Sequence, residues 1–152
     1  MVKDAFGILL EDLGRMLHIQ DLQPDRHNSC KIHFANGTEG TLEIDDARQV
    51  LIIAFDLGNP SPGKYRENLF CEALKANGAS YPRGGNFAFS SRSERLFLTE
   101  ELPMQDINAD RIFQCLTPMK EKAKKWQDAI THGEIPPQEF AERSASGMFG
   151  LK

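Results

Sequence analysis

Histidines and cysteines are the residues of this chain best suited to bind a metal or to attack a substrate. The four histidines are isolated from one another: His18, His27, His33 and His132. None stands in a spacing that marks a zinc site. The three cysteines, Cys30, Cys71 and Cys115, are widely spaced and lie among apolar residues, where small buried side chains are expected. The sequence therefore predicts no metal site, no cofactor and no catalytic thiol.

Two pairs of adjacent carboxylates are the next candidates for acid and base chemistry. Asp45-Asp46 and Glu100-Glu101 are neighbours in sequence, and neighbouring side chains of a strand or turn point in different directions. We therefore expect solvated turn charges rather than an acid–base couple. The G-x-S-x-G, G-x-G-x-x-G and phosphate-loop spacings do not occur either. These observations predict that the chain is not an enzyme.

One segment interleaves positive charge with aromatic rings, as RNA-binding strands do. Arg83, Phe87, Phe89 and Arg92 make this pattern, but its spacing differs by one residue from that of an RNA-recognition strand. The net charge of -4 and the isoelectric point near 5.6 give no positive field to attract phosphates. We expect no nucleic-acid partner, and a small α+β RNA-binding module is the alternative hypothesis.

Composition places the chain among ordinary globular proteins. Its 152 residues suit one domain, with 40% hydrophobic and 26% charged residues. Residues 50–55 form the longest strongly apolar run, far shorter than the roughly 20 residues that cross a bilayer. We expect no signal peptide, because Glu11 and Asp12 interrupt the apolar N-terminal stretch. Together with an odd number of cysteines, this pattern is typical of a cytoplasmic protein.

Hydrophobic periodicity predicts three helices and five strands. Helical spacing of apolar residues predicts helices over residues 4–18 and 109–132, with another helix between Gly63 and Asn77-Gly78. The last helix is expected to continue through Pro118 with a kink there. Strands are predicted near residues 30–34, 41–45, 50–55, 86–90 and 95–99. The order is α-β-β-β-α-β-β-α, an α+β fold with a twisted, mainly antiparallel five-stranded sheet.

Three elements carry more apolar surface than one compact pair of layers hides. Residues 50–55 are apolar on both sides of the strand, which is typical of a strand covered on two faces. The second helix spreads Leu69, Phe70, Ala73 and Leu74 over an arc too broad for one contact surface. The last strand again has apolar residues on both faces. This surplus predicts an interface: a second copy of the chain would cover part of it, and an extended client segment added to a sheet edge the rest.

Five segments occur in an order that is informative when they are taken together. They are Leu13-Gly14-Arg15-Met16-Leu17; the Cys30 strand after a polar loop; Glu72-Ala73-Leu74-Lys75-Ala76-Asn77 followed by Gly84-Gly85-Asn86-Phe87; Arg95-Leu96-Phe97-Leu98 leading to Leu102-Pro103-Met104; and the closing helix with Ala123 and Trp126-Gln127. Over residues 5–131 the sequence therefore resembles the class I chaperones of bacterial type III secretion, the Tir chaperone family.

This resemblance implies a cytoplasmic bacterial homodimer that needs no ATP. It would bind the N-terminal chaperone-binding segment of one or more secreted effectors and keep it extended until delivery to the export ATPase. The effector-binding and core residues would be Leu13, Leu17, Ile32, Phe34, Leu42, Ile44, Ile53 and Phe55. The dimer contact would be Leu69, Phe70, Ala73, Leu74, Phe87, Phe89 and Phe97. Residues 1–132 would form the chaperone domain and residues 133–152 a flexible tail.

Overall fold

A computed structural model describes residues 4–79 and 84–136 of the chain and confirms the predicted order of elements. Within these residues, three helices and five strands follow one another as α-β-β-β-α-β-β-α. Their bounds are α1 Ala5–Leu17, β1 Ser29–His33, β2 Glu39–Asp45, β3 Val50–Gly58, α2 Lys64–Asn77, β4 Asn86–Ser90, β5 Arg95–Pro103 and α3 Ala109–His132.

The strands form an antiparallel sheet in the order β1-β2-β3-β5-β4. The central strand, β3, pairs with both β2 and β5. Because β5 extends to Pro103, the expectation that Glu100 and Glu101 are turn residues is wrong: they lie opposite Ile53 and Ile52 in the ladder. The long-range pairing with β3, which local sequence does not reveal, keeps these carboxylates in strand conformation.

The two faces of the sheet differ in what covers them. Along β3, Leu51, Ile53, Phe55 and Leu57 are buried, whereas the alternate side chains are half-buried or exposed. The buried series belongs to one hydrophobic core with residues from all three helices. We call the side of this series the inner face and the opposite side the outer face. The apolar core therefore lies between the inner face and the helices.

Local signals explain where α1 begins and ends. The Oδ1 atom of Asp4 accepts a hydrogen bond from the Gly7 amide at 2.8 Å, which satisfies one donor of the first turn. His18 ends the helix in the left-handed conformation, with φ of 58°. A Cβ atom on Gly14 would lie 2.7 Å from the carbonyl oxygen of Ile19. The absence of a side chain at Gly14 therefore lets the chain turn back tightly after α1.

The last helix, α3, is continuous through Pro118, as the periodicity predicted. Its first turn is capped by Asn108, whose side chain accepts a hydrogen bond from the Arg111 amide at 2.8 Å. The basic stretch of residues 120–125 predicts a solvated face of this helix, but Lys122 is only 8% exposed, and its Nζ atom is 4.9 Å from the centre of the Phe87 ring. The aliphatic part of this lysine packs into the core while the ammonium group contacts an aromatic face.

The predicted tail begins at Gly133, which ends α3 in the left-handed conformation. The hydroxyl oxygen of Tyr65 on α2 lies 3.2 Å from the carbonyl oxygen of Ala129 and 2.8 Å from that of Glu134. Burial raises the pKa of Tyr65, so this hydroxyl remains a donor at neutral pH. The start of the segment is therefore anchored to α2, and residues 137–152 of the predicted tail lie outside the described residues.

Candidate functional site

Six of the eight predicted effector-binding residues lie in the protein core: Leu13, Ile32, Phe34, Leu42, Ile53 and Phe55. Their side chains are between 0% and 8% exposed, so in this conformation they pack in the core and a partner cannot contact them. Leu17 and Ile44 are half-buried and pack against the edge of the same core. Of the eight residues, these two are the ones that a partner can touch.

The predicted dimer residues divide in a similar way. Leu69, Ala73 and Phe87 are buried, Phe70, Phe89 and Phe97 are half-buried, and Leu74 is exposed. Phe87 and Phe89 point to the inner face, whereas Phe97 lies opposite Ala88 and points to the outer face. Phe97 therefore lies on the opposite face of the sheet from Phe87 and Phe89, the other two strand residues of the predicted dimer contact.

Side chains of α2 fasten this helix to the edge strand β4. Asn77 makes two hydrogen bonds to the backbone of Phe87: its amide nitrogen donates to the carbonyl oxygen at 3.0 Å, and its Oδ1 atom accepts from the amide at 2.7 Å. The rings of Phe70 and Phe89 lie 4.8 Å apart between centroids, and the guanidinium of Arg66 lies 5.2 Å from the centre of the Phe89 ring. One side of α2 is thus committed to the protomer's own sheet.

The other side of α2 is centred on Leu74, which is 70% exposed, more than any other large apolar side chain of the described residues. Cys71 lies one turn earlier on this side and is exposed, so the expectation that it is a small buried residue is wrong. Phe70, four residues before Leu74, lies at the border between the two sides of the helix: its ring contacts Phe89 and remains half-buried. We call Phe70, Cys71 and Leu74 the α2 surface. Exposed apolar side chains grouped in this way are typical of a protein–protein contact.

A second apolar surface runs along β3 on the outer face. Val50, Ile52 and Ala54 are half-buried, yet none of them belongs to the core or packs against it. We call these three residues the outer stripe. Sequence reasoning recognised the apolar excess of this strand but named the buried neighbours Ile53 and Phe55. A continuous apolar run has no alternation from which the outward residues can be chosen.

One edge of the sheet is open. β1 is an edge strand, and the Phe34 amide at its end donates to the Thr38 carbonyl oxygen at 2.9 Å. Since alternate residues of an antiparallel edge strand direct their backbone groups at the neighbouring strand, those of Lys31 and His33 point away from β2. None of the described strands pairs with this side of β1. At the opposite edge, by contrast, Asn77 occupies the backbone groups of Phe87.

A groove of about 830 Å³ lies where α1 ends and the chain turns back, beside the start of β1. Its lining includes Leu10, Gly14, Arg15, His18, Ile19 and Leu22. Gln23, also in the lining, hydrogen-bonds through its backbone to the thiol of Cys30 on β1. Sequence reasoning did not find this groove, because it arises from the tight return after Gly14 and its residues share no motif.

The structure does not support the RNA-binding hypothesis. Phe87 is 7% exposed, and its ring centre lies 4.0 Å from that of Trp126 on α3. Phe89 is half-buried against Phe70. Neither ring is displayed for stacking on a base, because both point to the inner face and contact helices. Arg83, the first basic residue of the pattern, lies outside the described residues.

Titratable groups of the described residues form no arrangement that suggests catalysis. No group of three or more histidines, cysteines or acidic residues among them could hold a metal ion. Burial raises the pKa of Cys30 and that of Cys115, and the negative charge of Glu100 adds to the effect at Cys115. Both thiols are therefore weak nucleophiles at neutral pH. No helix in this part of the chain has the length and apolar character needed to cross a membrane.

Comparison with known proteins identifies a family. A sequence model of the Tir chaperone protein (CesT) family matches residues 8–127 of the chain. This match includes most of α1, the whole sheet, α2 and most of α3. None of the curated proteins gives a match.

Solved structures of low sequence identity share the fold. A chain of the HopA1–SchA chaperone–effector complex has a TM-score of 0.65 and 22% identity, over 80% of this chain and 92% of that one. A chain of the heterodimeric ExoU–SpcU complex from the type III secretion system of Pseudomonas aeruginosa has a TM-score of 0.62 and 16% identity, over 82% and 96%. A chain of the Yersinia pestis type III secretion chaperone SycH bound to a YscM2 fragment has a TM-score of 0.60 and 16% identity, over 78% and 97%.

Proposed function

The chain belongs to the Tir chaperone protein (CesT) family, and we propose that it works as a homodimer that holds a client segment in extended form. As a member of this family, it is an effector-binding chaperone of type III secretion. The client segment is the N-terminal chaperone-binding segment of one or more effectors. Binding alone keeps the effector competent for secretion, without ATP hydrolysis and without a catalysed reaction.

The exposure of Leu74 is the observation that carries the dimer proposal. Burying a leucine side chain is favourable by about 1.5–3 kcal/mol, and 70% of this side chain faces water in the protomer. Because the opposite side of α2 is held to β4, a second copy is free to place its own α2 surface against this one. A two-fold arrangement brings the same residues together from both subunits and covers both copies of Leu74 at once.

The open edge of β1 supports the proposed binding of an extended client. The backbone groups of Lys31 and His33, which none of the described strands pairs with, would hydrogen-bond to an added strand whatever its sequence, which suits a chaperone with more than one client. Leu17 and Ile44 provide half-buried apolar contacts at the edge of the core. The remaining predicted effector residues act indirectly in this proposal, because they hold α1 and the sheet in place.

The cellular setting belongs to the same proposal. The homodimer would reside in the bacterial cytoplasm and deliver its client to the export ATPase of the secretion system. Residues 1–132 would form the chaperone domain, with residues 133–152 as a tail.

Affinity purification from the native bacterium tests this function. Tagged chain should retain one or more secreted effectors, and deleting the N-terminal segment of such an effector should abolish its retention. Addition of ATP without other components should not release it. Recovery of RNA with no effector, or retention that does not depend on the N-terminal segment, would contradict the proposal.

A further inference from the structure

The backbone groups of Lys31 and His33 on β1 face no other described strand, and we propose that the chain's own residues 147–151 pair with them as an added strand when no client is bound. This inference rests on the proposed function, because it places a segment of the chaperone where the client would bind. A client would then have to displace this segment, which makes the contact autoinhibitory.

Asp25 closes the beginning of this edge. Its amide donates to the carbonyl oxygen of Ser29 at 2.8 Å, and its Oδ1 atom accepts from the Ser29 amide at 3.0 Å. Further along, the carbonyl oxygen of Lys31 contacts the Cys30 thiol at 3.9 Å, but a carbonyl oxygen can accept a second hydrogen bond. The stretch open to a new strand is therefore short, because it begins at Lys31 and β1 ends at His33.

The two sides of this open stretch differ in polarity. Cys30, Ile32 and Phe34 are buried in the core on the inner face, and the groove at the end of α1 adjoins this side through the contact between Gln23 and the Cys30 thiol. On the other side, Lys31 and His33 form ion pairs with Glu39. An added strand would therefore place apolar side chains on the inner side and needs none on the outer side.

Residues 147–151 have the sequence that this position requires. They read Gly147-Met148-Phe149-Gly150-Leu151, so Phe149 and Leu151 would share one face of a strand, with Met148 and Gly150 on the other. Among residues 137–152, these two are the only large apolar residues that lie two positions apart. The segment lies outside the described residues, and its sequence pattern is the reason for choosing it. Phe149 and Leu151 would enter the groove.

The end of α3 lies close enough for the segment to reach β1. A Cβ atom on Gly58 would lie 3.5 Å from the Cγ2 atom of Ile130, so α3 ends above the last residue of β3. His33 is at the same end of the sheet, two strands away, which is about 10 Å. The ten residues 137–146 can span up to about 33–36 Å. A tether of this length keeps the segment at an effective concentration of about millimolar.

An open edge also gives a physical reason for a covering segment. Unpaired backbone groups at the edge of a sheet are a template for pairing with other chains, and proteins commonly protect such edges with a loop or a further strand. The opposite edge already has such protection from Asn77. Residues 147–151 would protect β1 until a client with a higher affinity replaces them.

Amide hydrogen exchange in the full chain without a client tests the contact directly. The amides of Lys31 and His33 should be protected in wild type and should exchange at least about tenfold faster in Phe149→Asp. Met148→Asp makes the same chemical change one residue earlier, on the opposite face of the proposed strand, and should leave these amides protected. Unprotected amides in wild type, or equal effects of the two substitutions, would overturn the proposal.

A labelled peptide of residues 144–152 tests whether the segment occupies a site that can be emptied. It should bind the Phe149→Asp chain at least about fivefold more tightly than wild type in fluorescence anisotropy, because the variant's own segment no longer competes. The same peptide with aspartate in place of Phe149 should not bind. Equal affinity of the unaltered peptide for the two chains would mean that no competing segment exists, and the proposal would be overturned.

Client binding separates failure of this inference from failure of the proposed function. An effector's N-terminal segment should bind Phe149→Asp about fivefold more tightly than wild type. If it binds both chains with equal affinity, the proposed function stands and this inference is wrong. If neither chain retains an effector, the proposed function is wrong, whereas the exchange of the Lys31 and His33 amides still decides whether residues 147–151 occupy the edge.

Discussion

Adjacent residues of β3 have opposite roles, because successive side chains of a strand point to opposite faces. Ile53 is 0% exposed in the core, whereas Ile52 is half-buried on the outer face. Both are β-branched isoleucines in an unbroken apolar run, so their types do not distinguish them. Only the pairing of β3 with β2 and β5, together with the helices over one face, shows which of the two isoleucines lies in the core.

Alanine substitution at these two positions should therefore have unequal effects on stability. Ile53→Ala leaves a cavity in the core and should lower the free energy of unfolding by about 2–5 kcal/mol. Ile52→Ala removes partly solvated atoms and should lower it by about 1 kcal/mol or less. Urea unfolding at one fixed protein concentration measures both values. Similar losses for the two variants would contradict the assignment of the faces.

Gly85 is a residue where the backbone leaves no room for a side chain. It has a φ of 95°, and a Cβ atom there would lie 3.1 Å from both the Leu98 Cδ1 atom and the Thr99 carbonyl oxygen. Gly63 has a similar φ of 103° but nothing within 4 Å of its Cβ position. The two glycines therefore share backbone strain on substitution but differ in steric contact.

We predict that Gly85→Ala lowers the free energy of unfolding by about 1–3 kcal/mol more than Gly63→Ala does. The difference reports mainly on the contact with β5, because a positive φ is common to both positions. Thermal and urea unfolding at matched concentration measure it. A Gly63→Ala variant as unstable as Gly85→Ala would show that backbone conformation alone requires glycine at residue 85.

The position of α2 depends on a contact that hydrophobic periodicity does not show. The sequence identified Asn77-Gly78 as a helix end, and α2 does end at Asn77. The side chain of Asn77 also satisfies the backbone of Phe87, ten residues later, on the outer edge of β4. This link orients α2 and thereby presents the α2 surface.

Asn77→Ala should loosen the contact between α2 and β4. It leaves the amide and carbonyl of Phe87 without their partner, which costs about 1–3 kcal/mol. Hydrogen exchange of the Phe87 amide should accelerate, whereas amides of the central strand β3 should change only through global stability. Asn68→Ala, at an exposed position of the same helix, serves as the control. Unchanged exchange at Phe87 would show that Asn77 does not fasten the helix.

Local signals predicted the elements better than they predicted the site. The Asn77-Gly78 helix end and the helical spacing of apolar residues in α3 are local, and the predicted order and most bounds agree with the structure. The end of β5 was placed too early because its last residues are strand only through pairing with β3. The same dependence explains why six predicted effector residues are buried and why Ile52 was not chosen. Which face a strand exposes depends on distant elements.

In the assembled protein, we predict that the α2 surface joins two copies of the chain. Leu74→Asp would place a charge in an apolar contact, so the variant should be a monomer where wild type is a dimer. Light scattering measures the mass. Ile8→Asp makes the same chemical change at the other strongly exposed apolar residue, which is 52% exposed on α1, and should remain a dimer.

The exposed thiol of Cys71 gives an independent reading of this contact. Cys71 should react more slowly with a thiol reagent in wild type than in Leu74→Asp, because the second copy covers it. Cys71→Ser should remove the fast phase of the reaction with the thiol reagent, which assigns that phase to Cys71. Equal rates in wild type and Leu74→Asp would place the dimer contact elsewhere.

Native mass spectrometry of the chain co-expressed with the N-terminal segment of its effector counts the copies of each partner in the complex. It therefore shows whether the apolar surface left open on one protomer is covered by a second copy and by a client. The predicted result is a complex of two copies of the chain with one client segment, which persists without ATP. A complex of one copy with one segment, or a chain that stays monomeric and binds no segment, would contradict it.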